Sequence, residues 1–196
     1  MNEISSLTDD KNIQQRIHEA QNELQRNRKS GLVQLNNIFR EGTLPVNPLN
    51  GPTNGQMIAV DIAPLITPIA RALLVSKMPW CGKVFDAASA RGENIFYPGF
   101  KGVSRALFPF YEDYRPEAPD RFRAFPFRTY SGPGLKDPDL QVLKIDYRIP
   151  VNPRLSIGRI LDELVQVDDN YYFGKAYFKT WWGNWHLIFY FALQRV

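Results

Sequence analysis

At Trp80 the hydrophobic period of this 196-residue chain changes, and its aromatic content changes with it. Before that residue the only ring-bearing phenylalanine, tyrosine or tryptophan is Phe39, although such residues make up 13% of the whole. From Trp80 onward apolar and polar residues alternate with a period of two, as strands with two unlike faces require. The alternation predicts strands over 81–87, 94–97, 103–108, 123–130, 140–147, 160–167, 171–182 and 185–194. Turn chemistry separates several of them, at Arg91-Gly92, Gly132-Pro133-Gly134, Asp168-Asp169-Asn170 and Gly183-Asn184. Residues 111–120, acidic and proline-bearing, read as a connecting loop.

The first part of the chain follows a different rhythm. Residues 8–40 read as a helix that Thr8 or Asp9 can cap, with Ile13, Ile17, Ala20 and Leu24 on one face. Leu32, Leu35, Ile38 and Phe39 resume the stripe after Gly31, where the helix can break. The apolar spacing fails at Asn27, so a helix lying on its own domain fits better than a dimerising coiled coil. A homodimer through this helix is the alternative use of the stripe. Residues 41–56 hold three prolines and three glycines and read as a loop; 57–62 read as a brief strand and 63–77 as a second helix. The expected division is an amphipathic helix over 1–41, a loop and covering helix over 42–79, and a barrel over 80–196, all in one structural domain. The fold class is mainly β: an antiparallel barrel of about eight strands with two N-terminal helices.

Two runs share the pattern aromatic–x–Gly–Lys–x–aromatic: Trp80 to Phe85, and Tyr172 to Tyr177. Pairing Trp182 with Trp185 across Gly183-Asn184 sorts the final hairpin into two faces. One is dry, with Gly174 opposite Leu193 and Ala176 opposite Phe191. A strand glycine there is explained by a bulky group approaching the backbone. The other face carries Lys175, Tyr177, Lys179, Trp181, His186 and Tyr190. It can form the barrel exterior, or it can line a cavity where rings give apolar area and polar tips orient a guest.

The first Gly–Lys strand and the final hairpin through Leu193 resemble the lipocalin-like, or calycin, ligand-binding barrels, over about the last 115 residues. The resemblance implies an antiparallel barrel holding a small lipophilic molecule. The chain departs from that family at Gly55-Gln56-Met57, where methionine stands in the tryptophan position of Gly-x-Trp, and in the two helices that precede the barrel.

Several chemistries find little footing. His18, His186 and Cys81 are the only imidazole and thiol groups, so no metal site is expected, and no cofactor motif is present. One cysteine excludes an intramolecular disulfide and fits a reducing, cytoplasmic setting. The first ten residues are polar and acidic and do not read as a signal peptide, and the apolar run over 57–80 carries Asp61, Arg71, Lys77 and prolines, which makes it a poor membrane span. The net charge of +4 is scattered, unlike a nucleic-acid-binding face.

The leading expectation is therefore binding of a small hydrophobic or amphipathic molecule in the barrel, through Lys83, Tyr97, Arg105, Arg148, Lys175, Tyr177, Trp181, His186 and Tyr190. An enzyme on the same scaffold, an isomerase, cyclase or hydrolase, would use Asp162, Glu163 or His186. Alternation puts Asp162 and Glu163 on opposite faces, so one of them points inward. A third reading is a structural subunit that docks a protein partner.

Overall fold

Every strand of the main ring pairs with the next strand of that ring, and the last returns to the first. The computed structural model describes residues 12–61 and 79–196. It contains α1 (Ile13–Arg26), α2 (Arg28–Glu41), β1 (Gly51–Val60), β2 (Trp80–Asp86), β3 (Arg91–Phe96), α3 (Gly99–Leu107), β4 (Arg115–Ala118), β5 (Arg121–Pro133), β6 (Gln141–Asp146), β7 (Ile160–Asp168), β8 (Tyr171–Lys179) and β9 (Trp185–Arg195). All pairings are antiparallel, in the order β3-β2-β1-β9-β8-β7-β6-β5, and β3 bonds to β5 to close the ring. β4 is bonded outside the ring, to β5. The chain thus forms the expected eight-stranded antiparallel barrel, with one added strand.

Alternation gives the barrel wall two dry faces. Inside, Phe85, Phe127, Ile145, Leu164, Tyr172, Ala176, Phe191 and Leu193 form one core. Outside, the hairpin of α1 and α2 lays Ile17, Ala20, Leu35, Ile38 and Phe39 on Ile58, Val165, Phe173, Tyr190 and Ala192. Phe39, the one Phe, Tyr or Trp before Trp80, anchors this second core. The break in the long helix falls at Asn27, not at Gly31. Asn27 ends α1 in an extended conformation, and its side chain accepts from Ser30 N to cap α2. The described start of α1 is capped by Asn12, whose Oδ1 accepts from Gln14 N. The caps expected at Thr8 or Asp9 and the helix expected over 63–77 lie outside the described residues.

Three expectations change. The strand expected over 103–108 is α3, because Phe100 and Ser104, four apart, turn one buried face to the core. A short apolar run does not by itself distinguish strand from helix. The loop expected over 41–56 contains the first half of β1, so the barrel begins at Gly51 rather than at residue 80. Part of the segment 111–120 is β4.

The β8–β9 register differs as well. The connection spans 180–184, and Gly174 faces Phe191 instead of Leu193. From Tyr171 to Ala176 the displacement is two residues, which preserves faces, so Gly174, Ala176, Phe191 and Leu193 still point into the dry core; a bulge between Ala176 and Tyr177 makes it three from there to the connection. Among the described residues no helix is long and apolar enough to cross a membrane.

Candidate functional site

The two Gly–Lys motifs place their lysines on opposite sides of the wall. Between Trp80 and Gly82 the β2–β3 register shifts by one residue, which turns both the Trp80 ring and Lys83 toward the interior. Lys83 is 3% exposed. Its Nζ donates to Asn94 Oδ1 at 2.9 Å, to Asp162 Oδ2 at 2.9 Å and to the Tyr147 hydroxyl. The rings of Trp80, Phe127, Tyr147 and Phe191 surround it, with centroids 5.1–5.5 Å away. Trp80 Nε1 also donates to Asn94 Oδ1, at 3.2 Å. Burial pushes the Lys83 ammonium down and the Asp162 carboxyl up, and their attraction opposes both shifts. Burial likewise pushes the Tyr147 phenol well up.

Lys175, in contrast, faces outward beneath α2. Its Nζ donates to Asp137 Oδ2 at 2.6 Å and to Asn36 Oδ1 at 2.7 Å, and lies 4.0 Å from the Phe39 ring centroid. Arg40 of α2 donates to the same Asp137, at 2.7 Å. Beside this pair Lys144 and the Leu135 amide donate to Glu163. Burial raises the Asp137 carboxyl, but the hydrogen bonds and charges of Lys175 and Arg40 outweigh it and hold the group below its ordinary 3.8. A depressed carboxylate stabilises the fold above its unfolded pKa, and that contribution is lost as pH falls through the folded value. Hydrogen exchange should show this directly. The amides of α2 are expected to exchange as slowly at pH 5 as at pH 7, and to lose protection below about pH 3.8, ahead of the amides of β8 and β9. Equal loss in both regions would contradict the assignment.

The opposite wall carries a defect. Where β3 meets β5, the single residue Glu93 faces two residues, Phe125 and Pro126. This is a β-bulge, and Phe125 takes a positive φ of 53°. Three side chains hold it. Asn94 Nδ2 donates to Phe125 O from inside the barrel at 3.1 Å, and the Phe125 amide donates to the Tyr111 hydroxyl at 2.6 Å. Asn152 Nδ2 donates to Pro126 O at 2.7 Å and to Tyr147 O at 2.8 Å. The bulge therefore connects the interior cluster to the outer surface through Asn94, and it is a place where backbone strain is held by its surroundings.

Over the bulge lies an open cleft of about 1220 Å³, lined by Val84, Glu93, Phe110, Arg115, Arg123 and Pro126, with Ile149, Pro150 and Val151 on one wall. Glu93 is 9% exposed, and its Oε1 accepts no hydrogen bond. The neighbouring guanidiniums are drawn elsewhere: Arg115 Nε lies 2.9 Å from Asp113 but 3.6 Å from Glu93, and Arg123 bonds Glu117 while lying 3.8 Å from Glu93.

The residues expected from the sequence do not come together at one place. Lys83 and Asp162 meet inside the barrel. Lys175, Tyr190 and Glu163 lie in the outer wall, Tyr190 stacked on Phe173, and Tyr177 is buried opposite Leu187. His186 is half-buried near the β8–β9 connection. Tyr97, Arg105, Arg148 and Trp181 are exposed on connecting segments or on α3. Asp162, Glu163 and His186 thus occupy three separate environments. Among the described residues no group of His, Cys, Asp and Glu is arranged to hold a metal ion.

Glu93, Asn94, Asp137 and Tyr147 were not singled out by sequence reasoning. One signal did point to the bulge: Pro126 inside the strand run FRAFPFRTY, since proline within a sheet marks an edge or a bulge.

No protein-family model matches this chain, and no curated protein matches it. Among solved structures, the fold is similar to that of a protein from Thermomonospora curvata known from a crystal structure. The two chains are 18% identical, with a TM-score of 0.47 and coverage of 91% of this chain and 99% of the other.

Proposed function

We propose that the protein binds a small amphipathic molecule in the cleft over the β5 bulge, with a hydrogen-bond donor on the guest, an amine or an alcohol, held by Glu93. The observation that carries this reading is the buried Glu93 Oε1, an acceptor without a donor in a concave site. A buried carboxylate oxygen without a hydrogen bond, its nearest guanidinium 3.6 Å away, costs free energy that a bound donor recovers. Phe110, Ile149, Pro150 and Val151 supply apolar surface for the body of the guest.

The sequence favours a guest inside the barrel. The packing supports the outer cleft instead, because rings occupy the middle of the interior. Phe191 lies against Gly174, Trp80 against Gly55 and Phe127 against Gly92.

Native mass spectrometry of protein purified from its own host tests for a retained small molecule. Thermal shifts with dodecylamine, dodecanol and dodecanoate, below their micelle-forming concentrations, test the chemistry. The amine and the alcohol are expected to raise the melting temperature and the carboxylate to leave it unchanged. Glu93→Gln is expected to weaken dodecylamine binding by about tenfold or more. Dodecanoate binding as well as the amine, or an unchanged affinity in the variant, would refute the assignment.

A further inference from the structure

Two segments that meet at the end of the barrel where β8 passes to β9 carry cations and no carboxylate. Residues 147–159 carry Arg148, Arg154 and Arg159 and no Asp or Glu, and residues 171–196 carry no Asp or Glu at all. On the same segments Trp181 is 66% exposed, Trp182 75%, Leu155 67% and Val151 46%. The two segments are joined. Arg159 Nε donates to Lys179 O at 2.5 Å, the same guanidinium donates to Thr180 O, and it lies 4.4 Å from the Trp181 ring centroid. Lys179 in turn lies 5.6 Å from the Trp185 ring. The outcome is an exposed pair of adjacent indoles beside cations, with Leu155 exposed on the segment that carries Arg159.

We propose that this end of the barrel docks on a lipid bilayer containing anionic lipids, with Trp181 and Trp182 seated at headgroup level. Indole rings prefer that zone because one edge is apolar and the other can donate a hydrogen bond. Nearby arginine and lysine side chains gain from the negative surface potential, and no carboxylate on these two segments opposes them. The exposed Leu155 decides between a membrane and a single-stranded nucleic acid. Aliphatic groups add burial in acyl chains, whereas they offer no stacking platform for bases. The geometry fits shallow, peripheral attachment of a folded barrel.

The test uses the full chain and sedimentation with vesicles of phosphatidylcholine, alone or mixed with phosphatidylglycerol. Binding is expected to the mixed vesicles, to weaken with salt, and to shift tryptophan emission to the blue. Quenching by brominated lipid should accompany it. Trp182→Ala and Arg154→Glu are each expected to lower vesicle affinity on the order of tenfold. Both side chains are exposed, so the melting temperature serves as a control for folding. Trp181→Ala removes the Arg159 contact as well and is read beside Trp182→Ala, which does not. Glu93→Gln is expected to leave vesicle binding unchanged, so failure of the cleft reading and failure of this one are separate results. Equal sedimentation of wild type and both exposed-site variants would overturn the proposal. So would self-association that depends on Trp182, or retention on a single-stranded oligonucleotide without any vesicle binding.

Discussion

Lys83→Met alone is expected to cost about 3–5 kcal/mol, Asp162→Leu alone about as much, and the double variant far less than their sum. The two groups are 3% and 2% exposed and meet at 2.9 Å inside a wall of rings. Removing either one leaves its partner charged and enclosed, with no solvent to receive it. Removing both replaces two costly desolvations with apolar packing. Urea unfolding of the four proteins in a double-mutant cycle measures the difference. The pH dependence adds a sign. A carboxyl whose folded pKa lies above its unfolded value stabilises the fold below the unfolded value, and that contribution disappears as pH rises. Burial already pushes Asp162 up, and Lys83→Met deletes the charge that restrains it. The penalty of Lys83→Met should therefore be smallest near pH 4 and should grow toward neutrality. Additive single effects, or a penalty independent of pH, would show that the pair is not the enclosed couple described above.

The glycines of the two repeated motifs support an equally large prediction. Gly82 has a φ of 148°, and a Cβ there would sit 1.9 Å from Thr53 O. Backbone cannot move aside as a flexible side chain can, so Gly82→Ala is expected to cost on the order of 3 kcal/mol or more. Gly174→Ala drives a methyl into the fully buried Phe191 ring, with the nearest atom at 2.2 Å, and about 2–3 kcal/mol is expected. Gly102, inside α3, has nothing within 4 Å of its would-be Cβ. Gly102→Ala should stabilise by about 0.5–1 kcal/mol, because alanine is the better helix former. Thermal melts of the three variants compare the effects in one experiment. Similar melting temperatures for all three would mean that the close approaches at Gly82 and Gly174 yield easily.

These two motifs also show what was legible in the sequence. Period two from Trp80 onward announced the barrel, and the pairing of small with bulky residues along the final hairpin identified its dry face. Because the observed register differs by an even number of residues as far as Ala176, that face assignment survives through Gly174 and Phe191, whereas the bulge beyond Ala176 makes the difference odd next to the connection. Which side of the wall a lysine occupies was not legible. Lys83 and Lys175 stand in matching patterns, yet a register shift near Gly82 turns one inward, while the other lies under α2. β1 was half hidden because Gly51, Pro52 and Gly55 have turn chemistry; the room at Gly55 is needed by the Trp80 ring. The cleft was hidden for another reason. Glu93, Tyr111 and Asn152 meet at the bulge only through long-range pairing, which no local pattern encodes. Lys83 and Asp162 are likewise brought together by four strand pairings that each depend on register.

The pairing of β1 with β9 has a consequence during synthesis. β1 emerges from the ribosome early, and the partner on one of its edges is made only after every other strand of the ring. Until then the nascent sheet keeps an open, hydrogen-bonding border at each side, which invites association with other unfinished chains. Translation speed and chaperone occupancy over the second half of the message should therefore govern the yield of soluble protein more strongly than the stability of the finished barrel.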